Sequence, residues 1–245
     1  MKFSRDMPFP ESFSEAMKAC ARKAAGGDAA AQLAMAEMYR RGEGVAVNIV
    51  EALIWYERAF KNGASEAAYR LGRIYGRGLV VEKDVPKAIL WHTRAAAADH
   101  VQAMVALGNI MARGIGVDKD LASAAKWYGK AAKLKDAGAQ FVYGLMLRDG
   151  RGISRDRIAA YVWICRAIEN KLPDENQKIA LDTREALLKR MTPEERIRAK
   201  AVAASYDVDA DINADLNGDN GIESGRADDT DNPEDRGTPR VESAA

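Results

Sequence analysis

The chain has 245 residues, room for one or two ordinary domains, and a net charge of only +1. Two cysteines, Cys20 and Cys165, exclude a disulfide framework, and the near-neutral balance argues against a nucleic-acid binder. No run of about 20 apolar residues offers a membrane span, and the first residues lack the apolar run of a secretory leader, so a cytoplasmic location is expected.

From the N-terminus, residues 1–28 read as a capping segment. Its helical stretch, 11–27, aligns with a degenerate second helix of the repeats that follow. From residue 29 a period of 36 residues takes over. It places Trp55, Trp91, Trp127 and Trp163, the only tryptophans, in one column. Gly42, Gly78, Gly114 and Gly150 form a second column, and Asn48, Asp84, Asp120 and Asp156 a third. Ala36, Gly72, Gly108 and Gly144 form a fourth. Four copies, residues 29–171, run without a gap.

Each column has a physical reading. Ala68, Leu71, Gly72 and Tyr75 fall at i, i+3, i+4 and i+7, the apolar stripe of a first helix. Glycine at position 72 costs about 1 kcal/mol relative to alanine in a helix, so close packing is the expected reason for it. Gly78 ends that helix in a left-handed conformation. Asp84 caps a second helix, with Pro86 in its first turn and Ala88, Trp91 and Ala95 on its apolar face. The tryptophans are expected to fill the core between paired helices rather than form an aromatic ladder. Truncating one should cost about 3–5 kcal/mol.

Residues 172–206 read as two C-terminal capping helices. Thr192, Pro193 and Glu195 make a helix start: cap, first-position proline, and an acid three residues after the cap. Residues 207–245 carry nine Asp and three Glu against three Arg, net −9, which leaves +10 on the rest. With no aromatic after Tyr206, this segment is expected to be a disordered acidic tail. Asp215, Asn217 and Asp219 fall at the first, third and fifth positions of a calcium loop, but Asn220 and Arg226 stand where Gly and Glu are needed, so no calcium site is expected. The opposite charges of tail and body suggest autoinhibition relieved by an acidic partner. Deleting 207–245 would then tighten that partner's binding at low salt.

Leu71-Gly72 with Tyr75, Gly114-Ile115-Gly116-Val117, Asp120, and Trp127-Tyr128 followed by Ala131-Ala132 resemble the Sel-1-like repeat, a relative of the tetratricopeptide repeat. Departures are Val80 for the second loop glycine, His92 and Ile164 for the tyrosine after tryptophan, and Lys171 for a late glycine. The resemblance implies an all-α fold, a right-handed superhelical solenoid of antiparallel helix pairs. It also implies a protein or peptide partner held in the concave face.

Residues suited to catalysis are missing from the pattern. His92 and His100 have no cysteine pair or acidic cluster to complete a zinc site, and His92 occupies a tyrosine column, so both read as structural. Gly114-Ile115-Gly116 follows a helix, not a strand, and is a repeat turn rather than a dinucleotide loop. No cofactor, no metal and no enzymatic activity are expected.

By analogy with tetratricopeptide arrays, the first helix of each repeat lines the groove. The candidate partner-binding residues are then Glu37 and Arg41 in the first copy, and Tyr69, Arg73 and Arg77 in the second. Asn109 and Arg113 follow in the third, Phe141 and Arg148 in the fourth. In this scheme the arginines hold acidic side chains, Tyr69 and Phe141 give apolar contact, and Asn109 bonds backbone. Two readings of Arg41, Arg77 and Arg113 stay open. They can steady the negative end of their helix, or form a basic groove for carboxylates or phosphates. The resulting function is a non-enzymatic adaptor or scaffold. The alternative is a nucleic-acid-binding protein that uses the same basic groove.

Overall fold

The computed structural model describes residues 13–78 and 81–205. The acidic segment 207–245, its calcium-like stretch, Val80 and the first twelve residues lie outside the described residues.

Among the described residues the structure is all helical, built as a solenoid. α1 (Glu15–Ala25) precedes four helix pairs: α2 (Ala29–Arg41) with α3 (Ile49–Lys61), and α4 (Ser65–Arg77) with α5 (Val85–Ala97). α6 (Val101–Arg113) pairs with α7 (Leu121–Lys133), and α8 (Ala137–Asp149) with α9 (Arg157–Glu169). α10 (Asp174–Lys189) and α11 (Pro193–Ala204) both pack on α9. From α1 to α10 each element touches mainly its chain neighbours, as a stacked array requires, whereas α11 passes over α10 to reach α9.

The same local chemistry recurs in every pair. Gly42, Gly78, Gly114 and Gly150 end the first helices with φ of 76°, 64°, 66° and 70°, a region that strains residues bearing a Cβ. Asn48, Asp84, Asp120 and Asp156 then start the second helices. Each side chain accepts from the backbone N–H three residues on, at 2.9–3.1 Å. The backbone N–H of each of these caps also donates back to the preceding helix, to Tyr39, Tyr75, Met111 and Leu147 carbonyls, at 2.9–3.0 Å. That second bond fixes each pair's geometry and satisfies a carbonyl that the helix end leaves open. Thr192 and Glu195 form a reciprocal capping box at the start of α11.

The core runs between the helices of each pair and between repeats. Trp55, Trp91 and Trp163 are buried, as the spacing led one to expect. Trp127 differs: it is only partly buried. A cation lies over three of the rings. Arg58, Arg94 and Lys130, each one helical turn on, stand 4.7 Å from the centroids of Trp55, Trp91 and Trp127.

Gly72 shows why the mid-helix column is small. A Cβ there would stand 2.6 Å from the ring of His92, the residue that replaces tyrosine after Trp91. At Gly108 it would meet Tyr128 at 3.0 Å, and at Gly144 Ile164 at 2.9 Å. In these three copies the side chain following the tryptophan therefore packs against the bare backbone of the first helix; the first copy has Ala36 instead.

Candidate partner-binding face

Each first helix carries a stripe at i, i+4 and i+8, one side of the cylinder. The stripes are Leu33, Glu37 and Arg41 on α2, Tyr69, Arg73 and Arg77 on α4, and Val105, Asn109 and Arg113 on α6. On α8 the same positions are Phe141, Leu145 and Asp149. Exposure rises along each stripe toward the helix end, and Arg41, Arg77, Arg113 and Asp149 are all exposed. Arg148 sits one position off the stripe.

One polar network runs from the α2 stripe to neighbouring residues of α4 and on to the start of α6. Glu37 is its hub. The Tyr56 hydroxyl donates to Oε1 at 2.5 Å, Arg40 donates to Oε2 at 2.6 Å, and Arg41 Nε lies 3.1 Å from Oε2. Arg70, from the next repeat, lies 3.9 Å away and also pairs with Glu66. Half burial opposes ionisation of Glu37, but the Tyr56 and Arg40 hydrogen bonds and the neighbouring arginines outweigh it and lower its pKa. Glu66 reaches on to His100 Nε2 at 2.8 Å. His100 caps α6 through Nδ1, which accepts from the Ala103 N–H at 3.3 Å.

Tyr69 fills the space beside this network. Its ring stacks on His100, 4.6 Å between centroids, and tilts against His92 at 5.6 Å. Arg73 lies over it at 5.7 Å. His92 is 4% exposed; burial, His100 and Arg73 push its pKa down to about 4, so the ring is neutral near pH 7. Both histidines are thus structural in their geometry: one packs a core, the other caps a helix.

Three sequence candidates differ from their expected state. Phe141 is 8% exposed and lies in the α8 core, so it presents little apolar surface. Asn109 is exposed, but its amide is already engaged. Nδ2 donates to the Val105 carbonyl at 3.0 Å, and Oδ1 accepts from the Tyr128 hydroxyl at 3.0 Å. Arg148 is held in a fork to Asp149, with two bonds of 2.7 Å. Arg41 is shared between Glu37 and Glu43. Arg77 and Arg113 have no ion pair among the described residues. None of the three row arginines bonds a carbonyl at its own helix end among the described residues; backbone N–H groups serve those ends instead.

Sequence reasoning missed two buried glutamines, each paired with an exposed asparagine. Gln32 donates to the Ala24 carbonyl at 3.0 Å and accepts from Asn62 at 2.7 Å. Gln140 repeats both bonds three repeats later, with Ala132 at 3.0 Å and Asn170 at 2.9 Å. The intervening copies have Ala68 with Ala98, and Met104 with Leu134. The polar pair is kept or lost together, a signal readable by pairing columns rather than reading each alone.

The helix-pair geometry and the 36-residue period point to one repeat type. The Sel1 repeat family model matches at residues 29–63, 65–100, 101–136 and 137–172. The chain belongs to the Sel1-repeat family. Two solved structures are similar. A protective antigen present in uropathogenic Escherichia coli strains, described as displaying an SLR fold, is 32% identical with a TM-score of 0.60. That match covers 77% of this chain but only 39% of the antigen, so this chain spans about two fifths of its length. A Sel1 repeat protein from Oxalobacter formigenes is 29% identical with a TM-score of 0.63, covering 77% of this chain and 78% of that one. No curated protein sequence matches.

Sel1-repeat arrays generally mediate protein–protein interaction. No helix among the described residues is long and apolar enough to cross a membrane. Burial raises the pKa of both Cys20 and Cys165, which disfavours a reactive thiolate at either.

Proposed function

We propose that this Sel1-repeat protein is a non-enzymatic adaptor. It takes an acidic protein segment along the side of its first helices that carries Arg41, Arg77 and Arg113, the concave face by analogy with tetratricopeptide arrays. The observation that supports this reading is the row itself. Three exposed guanidiniums recur one repeat apart at equivalent helix ends, and the two in the middle of the array have no internal ion pair among the described residues. Forked, charge-assisted hydrogen bonds to carboxylates are the chemistry such a row offers. Tyr69 and Arg73 lie between Arg77 and the Glu66–His100 pair and supply a half-buried contact at the centre. Glu37 has a different role: as the hub that holds Arg40, Arg41 and Arg70, it orders the N-terminal end of the row.

The reading is tested by affinity capture with wild type beside the Arg41→Ala/Arg77→Ala/Arg113→Ala variant, both verified as folded by circular dichroism. A partner held by wild type and lost by the variant supports the adaptor reading. A partner held equally by both moves the binding surface elsewhere.

A further inference from the structure

A second basic feature stands at the other end of the array, made by residues outside the arginine row. The loop between α8 and α9 and the last turns of α10 enclose a cleft of about 290 Å³. Arg148, Arg155, Arg157 and Arg190 line it, with Thr183 and a single acid, Asp149. Four cations less one anion leave +3 at its wall.

The four guanidiniums are not equivalent. Arg148 is consumed by its fork to Asp149. Arg155 donates Nε to the Arg148 carbonyl at 3.0 Å, which fixes the side chain across the end of α8 and leaves its terminal nitrogens outside that bond. Arg157, the first residue of α9, has its Nε buried with no hydrogen-bond partner among the described residues. A buried charged donor without an acceptor is costly unless a ligand supplies one. Arg190 is the exposed C-cap of α10. Thr183 spends its proton on the Ile179 carbonyl at 2.7 Å. The free hydrogen-bonding capacity of the cleft is therefore almost entirely cationic donors. The field is felt by Asp149, whose pKa is lowered by the Arg148 hydrogen bond first and by the charges of Arg148, Arg151 and Arg155 after it.

We propose that this cleft binds a phosphate group, as a free phosphate or as a phosphomonoester. A carboxylate would bring one charge and two oxygens to three uncompensated arginines. A phosphomonoester brings about 1.5 to 2 negative charges at pH 7 and three acceptor oxygens, enough for Arg155, Arg157 and Arg190 together. The volume is near the low end of small-ligand sites, about 300 Å³, and suits a headgroup rather than an extended chain.

The test is calorimetric titration of the full chain at constant ionic strength with inorganic phosphate, O-phosphoserine and acetate. Saturable binding of phosphate or phosphoserine, at least tenfold tighter than acetate, is expected. Tighter phosphoserine than phosphate assigns the site to a phosphorylated chain, and the reverse order to the free ion. Arg157→Gln should weaken phosphate at least tenfold. Arg155→Gln/Arg190→Gln, which alters only exposed side chains and leaves the buried Arg157 in place, should do the same, with circular dichroism verifying the fold. Asp149→Asn removes the competing carboxylate and should tighten phosphate several-fold. The Arg41→Ala/Arg77→Ala/Arg113→Ala variant should bind phosphate as wild type does, which separates this site from the adaptor face. No saturable phosphate binding, acetate as tight as phosphate, or an Arg155→Gln/Arg190→Gln protein that binds like wild type would overturn the assignment.

Discussion

Replacing Gly72 by alanine pits two effects against each other within α4. Alanine favours the helix by about 1 kcal/mol. The new methyl, however, would lie 2.6 Å from both Nδ1 and Cε1 of His92 and 2.8 Å from Cγ. Ordinary carbon contacts are about 3.5–4.0 Å, so the ring must retreat by roughly 1 Å. It has nowhere easy to go: His92 is 4% exposed and its other neighbours include Tyr69 at 5.6 Å. Overpacking of this kind costs about 1–3 kcal/mol, and the net result is a loss of up to about 2 kcal/mol. Gly76, four residues on in the same helix, is the control. A Cβ there meets only Ala88 Cβ at 3.4 Å, so Gly76→Ala should gain up to about 1 kcal/mol. Urea unfolding followed by circular dichroism should move the midpoint down for Gly72→Ala and up for Gly76→Ala, by a few tenths of a molar each. A Gly72→Ala protein more stable than wild type, as Gly76→Ala should be, would refute the packing argument for the glycine column.

Three further outcomes are expected. His92 has a folded pKa near 4 against about 6.5 for an ordinary imidazole, so the unfolded chain takes up its proton first as pH falls. Its contribution is complete above about pH 6.5 and is lost progressively toward pH 4, up to about 3 kcal/mol. His92→Tyr restores the residue found at Tyr56 and Tyr128 and should flatten that part of a stability–pH curve. Gln140→Met should cost about 0.5–1.5 kcal/mol by removing the buried Gln140 bond to the Ala132 carbonyl and the bond from the exposed Asn170 amide, and adding Asn170→Leu should cost little more, since Met104 and Leu134 already form that combination. Trp55→Ala should lose about 3–5 kcal/mol, and Trp127→Ala clearly less, because only the first ring is fully buried. Equal losses in thermal melts of the two would contradict the difference in burial.

Much of this fold was legible because a solenoid repeats its local rules. The period fixed the helix pairs, the Asp column fixed the caps, and the loop glycines marked where the first helices end. What could not be read was the consequence of stacking. Glu37 and Arg41 share a helix face in any reading, but the role of Glu37 as a hub needs Arg70, which only the stacking of the second repeat on the first brings near. Phe141 occupies the same position as Tyr69, yet is more deeply buried because α8 buries more of its circumference than α4 does. The cleft at the C-terminal end combines Arg148 with Arg190, 42 residues apart, and depends on how α10 folds back over α9. A periodic pattern carries no information on that return, since α10 and α11 lie outside the repeat.

The adaptor reading stands most directly on where a captured partner touches the array. Hydrogen exchange of the complex, compared with the unbound chain, reports that surface. The account predicts slowed exchange centred on the C-terminal halves of α4 and α6, around Arg77 and Arg113, with α5 and α7 unchanged. Protection confined to the second helices α3, α5, α7 and α9 would contradict it.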